Sequence, residues 1–288
     1  MKESGLIDIN HYATYYFANI ISGILEDPFP YIRNISDYYE DNGVILLVKP
    51  FERRSAYHNF INFVVRSVID EFMSKSDIKE IRKYVDYCEH FYTKNKISLL
   101  LIEEYFDKYG LSYTSFREWL SEIGKTIETA DDDDIYDYYN EFCLTEEIEF
   151  LIDKITDGVF YVTFSDRELM QRFNLLANGF ITDIALDDAF LDPEIIQCFQ
   201  RDGILKRVKI PEWAKRAVFF RDKGRCVVCN KDLSGTLSIY NKENYDHIVP
   251  LAQSGLNDVS NLQLLCKECN LRKQDKNCAT STFYQKWF

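Results

Sequence analysis

Two Cys-x-x-Cys pairs constrain this chain more than anything else in it. Cys226 and Cys229 are separated from Cys266 and Cys269 by 36 residues, and the dipeptide Asp246-His247 lies between them. Thiolates two residues apart can occupy two corners of a tetrahedron, and four thiolates satisfy Zn2+ completely. Such a closed set leaves no position for water, so the ion is structural. It would clamp short elements together in a segment of roughly 70 residues that has little core of its own. No strand–Cys-x-x-Cys–helix pattern of the redox type surrounds either pair. The remaining cysteines (Cys88, Cys143, Cys198 and Cys278) are scattered singly. They are read as small hydrophobes, buried except for Cys278. A disulfide-dense secreted scaffold is excluded by that distribution.

Charge divides the chain in the same place. From Leu205 onward there are 15 Lys+Arg against 8 Asp+Glu, a net of +7. The first 204 residues hold 19 against 39, a net of −20. The basic end is the part suited to a polyanion. A boundary is expected near 203, giving an acidic, mostly helical body at 1–203 and a second domain at 204–288. Residues 1–10 lack an apolar stretch behind a basic start, and the runs 44–48 and 97–102 are too short to span a bilayer. A cytoplasmic protein without membrane contact is the plain expectation.

Within the body, helical spacing of apolar residues predicts helices over 11–26, 55–73 and 97–109. Asp77-x-x-Glu80, Ser115-x-x-Glu118 and Ser165-x-x-Glu168 have the form of helix-opening capping boxes. Residues 145–154 form a further helix. Residues 44–48 and 159–164 suggest short strands, the first also reading as a buried segment. The acidic run 131–134 reads as a solvated loop, with a DNA-mimicking strip docking on the basic domain as the sharper alternative. His11, His58 and His90 have no companion metal ligands nearby and are expected to be ordinary satisfied histidines. In the second domain, Pro211 is expected at the first helical position, with Gly224 as the stop.

The residues between the cysteine pairs carry a family resemblance. Tyr245-Asp246-His247-Ile248-Val249-Pro250, Asn261-Leu262-x-Leu264-x-Cys266-x-x-Cys269-Asn270 and the lead-in Arg221-Asp222-x-x-x-Cys226 together resemble the HNH endonucleases. That resemblance spans 206–276 and implies a ββα-metal finger. The expected fold class is a predominantly α body plus a small zinc-stabilised α+β HNH domain. The resemblance implies His247 as general base and Asp246 with Asn270 as ligands of a catalytic divalent ion, Mg2+ or Mn2+. It implies Asn261 as the residue that fixes the hairpin loop and orients the base. Arg272 and Lys273 are expected on nucleic-acid phosphates. This chain carries Asn270 where the family's name has its last His, Ser254-Gly255 where a glycine pair is common, and Asn230 where glycine often follows the second cysteine.

The implied function is hydrolysis of phosphodiester bonds, in DNA in preference to RNA, with a homodimer as one route to cutting both strands. The acidic body is expected to bind a regulatory protein or small ligand, because −20 is the wrong sign for tracking DNA. That layout suits a bacterial anti-phage nuclease held idle until triggered. The alternatives are a modification-dependent restriction enzyme whose N-terminal half reads DNA, and a non-catalytic zinc-dependent nucleic-acid-binding module.

Overall fold

The computed structural model describes residues 9–40, 43–91, 98–188, 191–234, 245–275 and 278–282. Residues 1–8, most of the stretch read for a leader, and Ile97 lie outside that set, as do the side chains of His11 and His90. The elements in chain order are α1 (Ile9–Glu26), α2 (Ile32–Tyr39), α3 (Ile45–Val48), α4 (Ala56–Ser74), α5 (Ile78–Phe91), α6 (Leu101–Tyr109) and α7 (Phe116–Glu122). They continue with α8 (Asp132–Phe142), α9 (Glu146–Thr163), α10 (Arg167–Thr182), α11 (Pro193–Ile196), β1 (Phe199–Arg201), β2 (Ile204–Leu205) and α12 (Glu212–Arg221). The last are β3 (Tyr245–His247), β4 (Leu262–Leu264) and α13 (Lys267–Lys273). The expected fold class holds: a helical body, small two-stranded sheets towards the C-terminus and a four-cysteine cluster within 226–269 that could bind zinc. Among the described residues no helix is long and apolar enough to cross a membrane.

The chain forms two compact units, Met1–Phe17 with Ile61–Val159, and Ala18–Phe60 with Phe160–Phe288. The first has an aromatic core. Phe106 packs edge-on against Phe142 at 5.1 Å, and Phe116 meets Tyr138 at 5.3 Å. Glu103 is buried there because it satisfies three backbone donors, Leu99 N–H, Leu100 N–H and Phe116 N–H. The Ser115 capping box forms as read, its hydroxyl accepting from Glu118 N–H.

Several local expectations give way. Residues 45–48 are one helical turn and not a strand, while the buried-segment reading holds for Leu47 and Val48, since four apolar residues alone do not distinguish buried strand from buried helix. Residues 159–163 continue α9, because the weak alternation coincides with a helical face carrying the buried Ile152, Ile155 and Val159. The acidic run is the start of α8, not a loop. Asp131 caps it by accepting from Asp134 N–H, and three acidic residues in its first turn complement the positive end of the helix dipole. The cap of α10 is Asp166, whose carboxylate accepts from Leu169 N–H, and Pro211 lies one residue before α12. Cys278 is half-buried, with its Sγ 2.9 Å from Gln253 Oε1.

The second unit contains the cysteine-rich segment, 226–275, and the elements it leans on. Tyr57 is fully buried against Phe173 and donates to Thr163 Oγ1 at 3.0 Å. Gly203 makes the tight turn between β1 and β2 at φ 64°, and a Cβ there would lie 2.6 Å from Thr182 O. The point where the charge changes sign is therefore inside this unit. Asp258, from the cysteine-rich segment, accepts Ala56 N–H at 2.8 Å and so supplies a cap for α4 from a distant part of the chain.

Candidate metal centre and active site

The metal knot grows from two local turns. Asn230 adopts the left-handed conformation at φ 61° and closes the first one, donating from its N–H to Cys226 O at 2.8 Å. Asparagine tolerates that conformation better than most residues. Cys226 N–H returns to Lys231 O at 3.0 Å, and Val227 N–H reaches Leu264 O on β4 at 3.0 Å. The second pair opens α13, where Cys266 Sγ accepts from Cys269 N–H. The sulfurs of Cys226, Cys229, Cys266 and Cys269 all lie within 4.8 Å of one another, and those of Cys229 and Cys266 are 3.7 Å apart. A tetrahedral Zn2+ with bonds of about 2.3 Å needs sulfurs separated by about 3.8 Å, so the set fits zinc. Burial and the neighbouring sulfurs push the Cys269 thiol up, and a divalent cation is what reverses that pressure.

β3 and β4 pair antiparallel, with Tyr245 opposite Leu264, Asp246 opposite Gln263 and His247 opposite Leu262. Alternation along β3 sends Asp246 to the face opposite His247. Asn261 is completely buried at the foot of the hairpin. Its Oδ1 accepts Val249 N–H at 2.8 Å, while its Nδ2 donates to Val249 O and Leu256 O, both at 2.9 Å. That one amide therefore closes the loop that follows His247. Gly255 completes the closure, because a Cβ there would lie 2.0 Å from Val249 O.

The outer edge of β4 is closed by side chains. Asp222 Oδ2 accepts Leu264 N–H at 2.9 Å, and Arg221 Nη2 donates to Leu262 O at 2.5 Å. Arg221 Nε donates to Asp222 Oδ1 at 2.8 Å, and the guanidinium lies 4.9 Å over the Phe164 ring. Arg167, from α10, joins the buried carboxylate at 3.4 Å and donates to Ser281 O at 3.1 Å. Asn174 of the same helix donates to Ser260 Oγ at 3.1 Å. Asp258 accepts Ser260 N–H and its hydroxyl, and burial still pushes its carboxyl above the ordinary range. Arg167 and Asn174 were invisible to sequence reasoning, since their partners are far away in the chain. Asp258 did have a local signal, the Asp-x-Ser turn preceding Asn261.

His247 is 4% exposed, and its Nε2 is buried without a hydrogen-bond partner among the described residues. Burial first, then the charges of Arg207 and Lys273, push it down to about 3, so the imidazole is neutral at neutral pH. Asp246 is half-buried. Lys273, expected on a phosphate, is instead 5% exposed and reaches Asp246 Oδ2 at 2.9 Å and His247 O at 2.7 Å. The reason is helical geometry: the face of α13 that carries Lys273 turns inward against β3. Asn270 stands one turn earlier on α13. Asn270 is half-exposed and lines a cleft of about 360 Å³ with Leu271, Gln274 and Asp275. Arg272 is exposed, its Nε donating to Glu268 O at 3.3 Å.

Comparison with known proteins gives one assignment: residues 226–276 match the HNH endonuclease family model. Searches of curated proteins and of solved structures returned no match.

Proposed function

From the HNH endonuclease domain at residues 226–276, we propose that this chain is a metal-dependent endonuclease acting on nucleic acid, DNA in preference to RNA. The observation that carries the reading is the neutral His247 imidazole with an unpartnered Nε2, one residue from Asp246. His247 acts as general base, taking a proton from the attacking water. Nε2 exposes almost no surface, so a bound phosphodiester has to displace what covers it. Asn261 keeps the backbone beyond His247 from drifting by closing its loop. Asp246 and Asn270 offer hard oxygen donors that suit Mg2+ or Mn2+. Such an ion supplies positive charge to the scissile phosphate and the leaving oxygen. The exposed Arg272 holds a backbone phosphate. The four cysteines hold zinc, which keeps the hairpin on the helix.

The excess of acidic residues in 1–203 supports a regulatory or partner-binding role for that part. A nuclease restrained until triggered, as in anti-phage defence, is the setting this combination suits. A homodimer would supply a second site for double-strand cleavage.

The test is digestion of supercoiled plasmid by the full chain with Mg2+, Mn2+ or chelator. Cleavage is expected only with a divalent ion, and His247→Ala should slow it at least about 100-fold with zinc content unchanged. Equal cutting by that variant removes the assignment, and binding without cutting under any ion leaves a non-catalytic module. DNA binding that survives neutralisation of the basic residues after 204 would favour the restriction-enzyme alternative.

A further inference from the structure

Two side chains outside the expected donor set grip Asp246. Gln263, fully buried and directly opposite on β4, donates from Nε2 to Asp246 Oδ2 at 3.3 Å and to Ala279 O at 2.8 Å. Lys273 brings its ammonium to the same Oδ2 at 2.9 Å and to His247 O at 2.7 Å, with 5% of its side chain exposed. A lysine side chain buried this deeply needs close polar partners. Here the partners are the Asp246 carboxylate and the carbonyl of the proposed base. Among the described residues, the hydrogen bonds and ion pairs of that carboxylate all go through Oδ2.

We infer that Lys273 is a positioning residue that sets how strongly the site at Asp246 and Asn270 holds a divalent cation. The inference rests on the nuclease reading given above. Lys273 and Gln263 tie Oδ2 inward, which leaves Oδ1 as the oxygen offered to an ion. The ammonium also spends part of the carboxylate's negative charge, so Asp246 offers the ion less than an isolated carboxylate would. Two positive charges beside one carboxylate repel each other, so the lysine keeps the cation loosely held and exchangeable. Its second bond, to His247 O, ties that adjustment to the strand carrying the base.

Mn2+ binding to the full-length, zinc-loaded protein, followed by the loss of the free-ion paramagnetic resonance signal, tests this without measuring cleavage. Lys273→Met removes the charge while keeping length and apolar contact, and Lys273→Gln does so with a polar end. Lys273→Arg restores the charge. Both neutral variants are expected to bind Mn2+ at least about threefold more tightly than wild type, and Lys273→Arg to remain within about twofold. Zinc content and circular dichroism identify the variants that fold, and either neutral variant suffices. Unchanged or weaker binding in a folded neutral variant overturns the role of Lys273 and leaves the cation site standing. No Mn2+ binding by the wild type removes the cation site, and this inference with it.

Discussion

At the scale of single residues, burial decides what His58, His247 and Lys273 do. His58 packs face to face on Phe160 with ring centres 3.6 Å apart, and its Nδ1 accepts from Ser55 N–H at 3.1 Å. Burial, then the nearby Arg54, pushes it down to about 4. The folded state therefore binds this proton less readily than the unfolded chain, whose histidine titrates near 6.5. The stability held by neutral His58 is fully present above about pH 6.5 and is lost as pH falls from there to about 4. A shift of this size corresponds to about 3 kcal/mol at most. Urea midpoints measured from pH 7.5 to 4.5 should fall in the wild type, and His58→Phe should remove that part of the slope. Identical slopes would show that His58 titrates normally. Lys273 makes the same point from the other side, since its residue type suggested a solvated phosphate contact while the inward face of α13 gave it Asp246.

Among the elements, the β3–β4 hairpin depends on borrowed partners. Its strands are three residues each, too short to be stable in isolation. The outer edge of β4 is satisfied by Asp222, Arg221 and the Val227 N–H in place of a third strand. Asp222→Ala should leave two buried guanidiniums without their carboxylate and Leu264 N–H without an acceptor. The expected cost is about 3–5 kcal/mol in urea denaturation, with earlier release of zinc to a chelator. A loss below about 1 kcal/mol would mean that the edge is held by other contacts. Capping shows which elements were legible. Ser115-x-x-Glu118 could be read because the whole motif is local. The run at 131–134 was misread because acidic residues are equally at home in a solvated loop and at a helix start.

At the scale of the whole molecule, the cysteine-rich segment is not self-contained. Asp258 accepts Ala56 N–H at 2.8 Å, Asn257 O accepts Phe51 N–H at 2.8 Å, and Asn174 donates to Ser260 Oγ at 3.1 Å. Arg167 adds its contact with Asp222 at 3.4 Å. A fragment of 204–288 would lose all of these and leave buried polar groups without partners. With zinc bound, it should melt on the order of 10 °C or more below the full chain by circular dichroism. Equal melting temperatures would show that 204–288 folds alone. Any comparison of fragment and full-length activity has to begin from that measurement, because a weak fragment could reflect lost folding instead of lost regulation.

The sequence by itself determined the four-cysteine cluster that could hold a metal and the segment that carries it, because two Cys-x-x-Cys turns are complete within a few residues each. It also determined the helical character of the body, since periodic burial leaves a periodic trace. Only the tertiary structure decided that Lys273 faces Asp246, that Asp258 caps α4, that Arg167 and Asn174 support the hairpin, and where the compact units divide. Those contacts join residues dozens to hundreds of positions apart, and each depends on which face of an element is turned inward. Short-range patterns record the faces an element has; the packing of its neighbours decides which face is used.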